Sequence, residues 1–132
     1  MSTITKLEEL EIWQMARNYA KEINRILTAQ SFNYEPGLKQ QMKNASGSIM
    51  DNIAEGFGRG SKNEFVNFLT IAKGSAEESK SQLVRCIDCG LIDKGQYANL
   101  SVFVETLVRR IGALIHYLNK VPIKGQKFKD RL

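Results

Sequence analysis

Three carboxylates border a glycine-rich segment and are the first residues whose types could perform chemistry. Asp51, Glu55 and Glu64 could serve as paired general acids and bases, a task that carboxylates perform when they are held close together. The sequence supplies no clustered histidines, no nucleophile beside a base and no metal-ligand set to support that chemistry. Helical pairing instead predicts Glu55 beside Glu64 and close to Arg59, so we interpret the group as a structural ion-pair network.

The glycine-rich segment, residues 56–60, could be compared with a phosphate-binding loop. Such loops follow a β-strand and open onto a helix, whereas this segment follows a helical pattern. We therefore interpret it as the end of one helix before the start of another, which a Ser61–Glu64 capping box would begin. A weaker alternative is that the start of this second helix, with Arg59 and Lys62 nearby, accepts a backbone phosphate.

The two cysteines have the C-x-x-C spacing of redox and metal sites. Cys86 and Cys89 lie within an apolar helical pattern, with no preceding strand and no second cysteine pair. If the third and fourth helices form an antiparallel hairpin, the only histidine, His116, lies beside Phe68, roughly 18 residues or ~27 Å from Cys86. One subunit then cannot bring these residues to one metal. We predict two partly buried structural thiols and no metal site.

The charge balance of the chain points to polyanionic partners. Lys and Arg number 19 against 14 Asp and Glu, for a net charge of +5, and residues 93–132 carry eight basic and three acidic residues. One interpretation is a solvated face with a basic tail; the other is a polyanion-binding surface, on which Arg109 and Arg110 would lie level with Arg17. The candidate nucleic-acid-binding residues are Arg17, Lys21, Arg25, Arg109, Arg110, Lys120, Lys124 and Lys127.

Apolar residues recur at helical spacing over most of the chain, and no stretch alternates as a β-strand would. The pattern predicts four helices, over 7–28, 38–57, 62–89 and 94–121. Four such helices with short connectors describe an all-α, antiparallel up-down-up-down four-helix bundle. We predict a single domain over 1–121, followed by a basic flexible tail over 122–132.

Small residues interrupt the second and third predicted helices. A turn near residues 59–60 would place the small-residue patches around Gly47 and Gly74 opposite each other. Close backbone approach would explain both glycines, because a glycine inside a helix costs up to about 1 kcal/mol relative to alanine. The same pairing predicts Glu78 beside Gln41.

Some apolar residues exceed what one helix seam needs, and they have two interpretations. They could widen the core face of the bundle, or they could form a contact between subunits. These residues are Ile12, Met15, Tyr19, Ile26, Val108 and Ile115.

Length and composition fit a globular chain. It has 132 residues, of which 42% are hydrophobic and 25% charged, as is ordinary for such proteins. No apolar run approaches the ~20 residues of a membrane span, and the first residues do not resemble a secretory signal. We expect a cytoplasmic protein with no membrane partner.

Residues 10–120 resemble the bacterial four helix bundle protein family, whose members are encoded in intervening sequences of large-subunit ribosomal RNA genes and were once labelled as a ribosomal protein. The most specific resemblance lies in the segment 48–61 and in the start and middle of the third helix. Its structural signature consists of Asn52, Glu55, Gly56, Arg59, Ser61, Glu64, Gly74 and Glu78.

The resemblance implies an antiparallel four-helix bundle that assembles into a ring-like homopentamer, and it favours the subunit-contact interpretation of the extra apolar residues. The accessory variability protein of diversity-generating retroelements is similar; it is a basic pentamer that associates with a reverse transcriptase and binds nucleic acid. The resemblance implies no enzymatic activity and no cofactor. We therefore predict a non-catalytic, homo-oligomeric bundle that binds RNA or DNA with low sequence specificity; service as accessory to a nucleic-acid enzyme is one form of this prediction. The alternative is a protein–protein scaffold with no nucleic-acid role.

Overall fold

Four long helices make up most of the protein. The computed structural model describes residues 4–121, and within that range it contains no β-strand. The helices are α1 (Glu11–Ile26), α2 (Pro36–Arg59), α3 (Lys62–Asp88) and α4 (Lys94–Lys120), with short 3-10 helices at Leu7–Glu9 and Gln30–Tyr34. Each helix contacts the next, and α4 also contacts α1, so the four form a closed antiparallel bundle. None of the helices in this range is both long and apolar enough to cross a membrane.

Local capping chemistry sets the helix ends. Gly60 has a φ of 81° and Gly90 a φ of 72°, the left-handed conformation that ends α2 and follows α3. Ser61 Oγ accepts from the Glu64 amide at 3.4 Å, whereas the Glu64 carboxylate lies 3.5 Å from Arg59 and does not make the predicted reciprocal bond. A complete capping box begins α4 instead, between Asp93 and Gln96.

The core runs the length of the bundle and includes a polar contact between two helices. Tyr19 of α1 and Ser79 of α3 are hydrogen-bonded through their hydroxyls at 2.6 Å, and Phe103 packs edge-on against the Tyr19 ring. Burial raises the pKa of Tyr19 to about 12, so the phenol stays protonated at neutral pH.

The extra apolar residues noted above pack on this same core, with Ile12 and Tyr19 buried and the others partly buried: Met15, Ile26, Val108 and Ile115.

The pairing of α2 with α3 differs from the prediction by about one helical turn. Ser48 and Ser75 are hydrogen-bonded through their hydroxyls at 2.9 Å, and Gln82 donates to the Gln41 carbonyl at 3.3 Å. The predicted place of Glu78 beside Gln41 is therefore wrong. The reason is that α2 continues helically through two glycines to Arg59, so the turn lies later in the chain than expected.

The close approach of α2 to α3 occurs at a different glycine from the two predicted. A Cβ added at Gly47 or Gly74 would meet no atom within 4 Å, so neither glycine permits a close contact. A Cβ at Gly56 would lie 2.6 Å from Phe68 Cβ and 3.1 Å from Phe65 Cδ1. Gly56 is thus the position where the α2 backbone must carry no side chain.

The predicted pairing of α3 with α4 is confirmed. Lys80 Nζ lies 3.4 Å from Glu105 Oε1, and Lys62 Nζ donates to the Val121 carbonyl at 2.9 Å. These two contacts lie at opposite ends of the hairpin and give the same alignment. They fix the height of every α4 residue relative to α3.

Substitution of Gly56 by alanine tests the close approach. We expect Gly56→Ala to lower the free energy of unfolding by about 1–3 kcal/mol, because the new methyl group forces the phenylalanine side chains from their places. Gly47→Ala is the matched control, since it adds the same methyl group in open space and should stabilise the helix by up to about 1 kcal/mol. Urea denaturation followed by circular dichroism measures both; equal effects of the two substitutions would contradict the assignment.

Candidate nucleic-acid interface

Two of the predicted basic residues are paired with carboxylates. Arg25 lies 3.0 Å from Glu22 on α1, and Arg110 of α4 contacts Glu11 of α1. Both pairs are exposed, so each contributes at most about 1 kcal/mol, but each also cancels positive charge on the side where α1 meets α4. The predicted alignment of Arg110 with Arg17 is wrong, because Glu11 lies six residues, or about 9 Å, before Arg17 on α1.

The remaining predicted residues on α4 lie apart from those on α1. Arg109 is exposed and donates to the Thr106 hydroxyl of its own helix at 3.4 Å. Lys120 is exposed at the last position of α4. Lys124 and Lys127 lie outside the described residues. The predicted set therefore does not form one continuous surface.

Arg17 and Lys21 lie on the side of α1 that turns away from α4. The contacts of α1 with α4 come from Glu11 and Tyr19, on another side of the helix. The Arg17 guanidinium carbon lies 5.9 Å from the centre of the Trp13 ring, a cation–π arrangement that holds the arginine at the surface. Lys21 follows one turn later and is exposed.

Two lysines of α2, which sequence reasoning did not single out, lie toward the same side of the bundle. The contacts of α2 with α3 come from Gln41, Ser48 and Gly56, on one edge of its buried stripe. Helical spacing places Lys39 and Lys43 on the other edge, which faces α1. The four-residue spacing of these lysines places both on one side of α2. Together with the pairing of α2 beside α1, this spacing could have predicted that they share a surface with Arg17 and Lys21.

Arg17, Lys21, Lys39 and Lys43 thus form a surface that we name the α1–α2 basic face. No carboxylate of α1 or α2 lies within it. The carboxylates of α1 lie on its α4 side; they belong to Glu11 and Glu22. The carboxylates of α2 belong to Asp51 and Glu55, which line a groove with Phe68 of α3. Glu8, in the preceding 3-10 helix, shares a surface depression with Arg17 and marks the end of the face.

The start of α3 does not present free basic groups for a phosphate. Lys62 donates to the Val121 carbonyl, and Arg59 lies between two carboxylates, 3.3 Å from Glu55 and 3.5 Å from Glu64. The Arg59 guanidinium also lies 5.1 Å from the Phe68 ring centre. These contacts already occupy both cations of the weaker phosphate-site alternative.

Comparison with known families assigns the chain. Residues 8–113 match the model of the 23S rRNA-intervening sequence protein family. The chain belongs to this family. The match spans α1 to α3 and most of α4, and it therefore includes the whole α1–α2 basic face.

A solved structure shares the fold of this intervening-sequence protein. It is the crystal structure of a protein with unknown function from the S23 ribosomal protein family of Bacteroides thetaiotaomicron, with a TM-score of 0.70 and 22% sequence identity. The alignment covers 79% of the present chain and 97% of the other. At this identity the likeness concerns the fold alone. No curated protein matches the sequence.

The residues that were predicted to form a structural signature divide into packing positions and surface positions. Gly56 provides the close approach, Ser61 caps α3, and Asn52 donates to the Ser48 carbonyl at 2.8 Å. Glu55, Arg59 and Glu64 form the predicted ion-pair network, but all three side chains are about half exposed. Gly74 and Glu78 are exposed as well. An exposed network stabilises the hairpin little, so these side chains do not account for its closure.

The cysteines occupy different environments, although both were expected to be partly buried. Cys86 is buried with its sulfur 3.3 Å from that of Met42, whereas Cys89 is exposed at the end of α3. Burial, with a smaller contribution from the neighbouring Cys89, raises the pKa of Cys86 to about 11. Residues 4–121 contain no group of three or more His, Cys, Asp or Glu side chains placed to hold a metal ion.

The two thiols should react at different rates. At pH 8 we expect a disulfide reagent such as Ellman's to modify one thiol per folded chain quickly, because only Cys89 is accessible and the buried Cys86 thiol stays protonated. Cys89→Ser should remove the fast phase, and Cys86→Ser should leave it intact. Absorbance at the wavelength of the released thiolate measures the reaction; a fast phase that disappears with Cys86→Ser would contradict this assignment.

Proposed function

We propose that this protein is a non-catalytic, homo-oligomeric helical bundle that binds RNA or DNA through the α1–α2 basic face. The observation that carries the proposal is the grouping of four basic side chains from two helices on a surface to which neither helix contributes a carboxylate. Such a surface attracts a phosphate backbone, because each phosphate that a Lys or Arg neutralises releases condensed counterions. The basic side chains of this face can bind phosphates directly, without a metal or a cofactor.

Recognition of this kind is weakly specific for sequence. Lysine contacts phosphates as a point charge and reads no base pattern. Trp13, half-buried beside Arg17, is the one large aromatic ring on the face and could stack on an unpaired base. A single ring does not read a sequence, so affinity should follow the length and charge of the nucleic acid.

Oligomerisation increases the number of phosphates bound at once. The ring-like homopentamer implied by the family resemblance belongs to this proposal, because it would repeat the α1–α2 basic face in every subunit. Separate weak contacts on one polymer combine through a high effective concentration. A small basic face on each chain then suffices for an accessory that holds nucleic acid for an enzyme.

A protein–protein scaffold is the second candidate, and one observation favours it. Large apolar side chains are exposed on α3 and α4, among them Ile71 at 51% and Val102 at 64%. Exposed apolar side chains of this size can contribute to protein contacts. A scaffold without a nucleic-acid role would keep its partner after the charges of the α1–α2 basic face are reversed.

Charge reversal on the basic face tests the proposal. Using a fluorescent 20-nucleotide RNA and the same DNA sequence, we expect affinity to fall steeply as salt increases. Lys21→Glu with Lys43→Glu should weaken binding about tenfold or more and reduce the salt slope by roughly 0.7–0.9 for each lost phosphate contact. Lys73→Glu with Lys94→Glu, on α3 and α4, changes net charge equally and is the control. Equal losses in both double variants, or no wild-type binding at low salt, would overturn the proposal.

The single tryptophan gives an independent test of location. Trp13 lies beside Arg17 on the α1–α2 basic face, so a nucleic acid bound there should change its fluorescence by quenching or a spectral shift. The change should saturate at the same concentration as the anisotropy signal and disappear at high salt. Binding that saturates without any change at Trp13 would place the nucleic acid elsewhere.

A further inference from the structure

One face of α3 carries acidic and apolar side chains that lie outside the core. Glu64, Ile71 and Glu78 follow one another at seven-residue steps, and Ile71 is 51% exposed. Seven residues are about two helical turns, so the three side chains form one stripe, which we name the α3 stripe. Asp51 and Glu55 of α2 lie along the neighbouring groove and add two more carboxylates.

One face of α4 carries the matching set. Thr106, Ala113 and Lys120 also follow one another at seven-residue steps, and we name them the α4 stripe. Arg109 and Tyr117 lie one turn before and one turn after Ala113, and both are exposed. The small Ala113 side chain between these two long ones leaves a recess on the surface, of the kind that receives a protruding side chain in helix pairs.

The two stripes match in height along the bundle. The contacts that join α3 to α4, Lys80 with Glu105 and Lys62 with Val121, fix the alignment of the two helices. The pairs that lie at the same height, within about one residue or 1.5 Å, are Glu64 with Lys120, Ile71 with Ala113, and Glu78 with Thr106. Arg109 lies one turn from the last of these, within reach of a carboxylate at that height.

The stripes point away from each other within one chain. The helices contact in the cyclic order α1, α2, α3, α4, so the side where α2 meets α3 is opposite the side where α4 meets α1. The contacts of Glu64 with Arg59 place the α3 stripe toward α2. Thr106 and Ala113 lie one turn before and one turn after Arg110, whose contact with Glu11 places the α4 stripe toward α1. One chain therefore cannot join its own stripes, whereas two chains side by side can.

We propose that a second copy of this chain docks its α3 stripe against the α4 stripe of the first. With bundle axes parallel, Ile71 enters the recess at Ala113, Glu64 meets Lys120, and Glu78 meets Arg109. The contact is head-to-tail, so each copy offers both stripes and the assembly can close into a ring. The inference rests on the homo-oligomeric part of the proposed function and names the surfaces that make it.

The charges favour this occupant over another protein. The α3 side carries the carboxylates of Asp51, Glu55, Glu64 and Glu78 against two guanidiniums: that of Arg59, which two of them already share, and that of Arg85, which donates to the Gln41 side chain. The α4 side offers the opposite sign, with Lys120 at the height of Glu64 and Arg109 one turn from the height of Glu78. A second copy supplies this match without any further assumption. The docking also leaves the α1–α2 basic face uncovered, since that face belongs to neither stripe.

Substitutions at the apolar centre test the docking. In sedimentation velocity of the full chain we expect an oligomer for the wild type, and for Ile71→Glu and for Ala113→Glu a dissociation constant at least tenfold higher. Val84→Glu is the matched control, because Val84 is another exposed apolar residue of α3, at 42%, but lies off the stripe. Circular dichroism confirms that each variant remains helical. Wild-type mass retained by both stripe variants, or equal dissociation of the Val84 control, would overturn the inference.

A charge exchange makes the test independent of any loss of folding. Glu64→Lys with Glu78→Lys should dissociate the oligomer, and Arg109→Glu with Lys120→Glu should do the same. All four substitutions in one chain restore opposite charges across the contact, so affinity should recover at least tenfold relative to either double variant. A fourfold variant that dissociates as much as the double variants would contradict the pairing.

The outcomes separate this inference from the proposed function. An oligomer that ignores both stripes would refute the docking and leave the homo-oligomeric bundle standing. A wild-type chain that is monomeric at every concentration would refute the docking and the oligomer together. Nucleic-acid binding is measured separately on Ile71→Glu: retained affinity per chain supports the basic face, whatever the mass of the variant.

Discussion

The contact of the Gly56 backbone with Phe65 and Phe68 is the constraint on which the α2–α3 hairpin depends. A helix can approach the side chains of its neighbour this closely only where it has no Cβ of its own. Gly56 must therefore stay within α2, and the chain reverses only at Gly60, where the backbone takes the left-handed conformation. The position of that reversal sets the alignment of α2 with α3 and, through it, decides which signature side chains become buried and which face solvent.

The sequence was sufficient for the architecture because the apolar period determines the number, length and order of the helices. It was not sufficient for the α2–α3 alignment. Any of the three glycines at positions 56, 58 and 60 could have ended the helix. Helix propensity alone does not distinguish a glycine needed for packing from one needed for a turn. By contrast, the α3–α4 connection contains only Gly90 as a left-handed candidate, and there the predicted alignment is confirmed.

The candidate interface was harder to predict than the fold, because a charge pattern does not reveal which charges are paired. The Arg25–Glu22 pair has a three-residue spacing that a helix brings together, so it could have been anticipated. The Arg110–Glu11 pair joins residues at nearly opposite ends of the chain and depends on packing. Lys39 and Lys43 were missed for the same reason: on α2 alone they are two ordinary surface lysines, and only the packing of α1 beside them makes a basic face.

The same packing explains how one small bundle can separate two kinds of surface. A four-helix bundle has four sides, and the inward-facing residues of every helix form the common core. Exposed charge is then sorted by side: positive where α1 meets α2, mainly negative where α2 meets α3, and positive again along α4. A negative side opposite a positive one favours head-to-tail contact between copies, because like surfaces repel and unlike surfaces attract. The side where α1 meets α2 lies between them and gains nothing from that contact. It is therefore the side on which positive charge can accumulate for a polyanion without opposing the contact that we propose between copies.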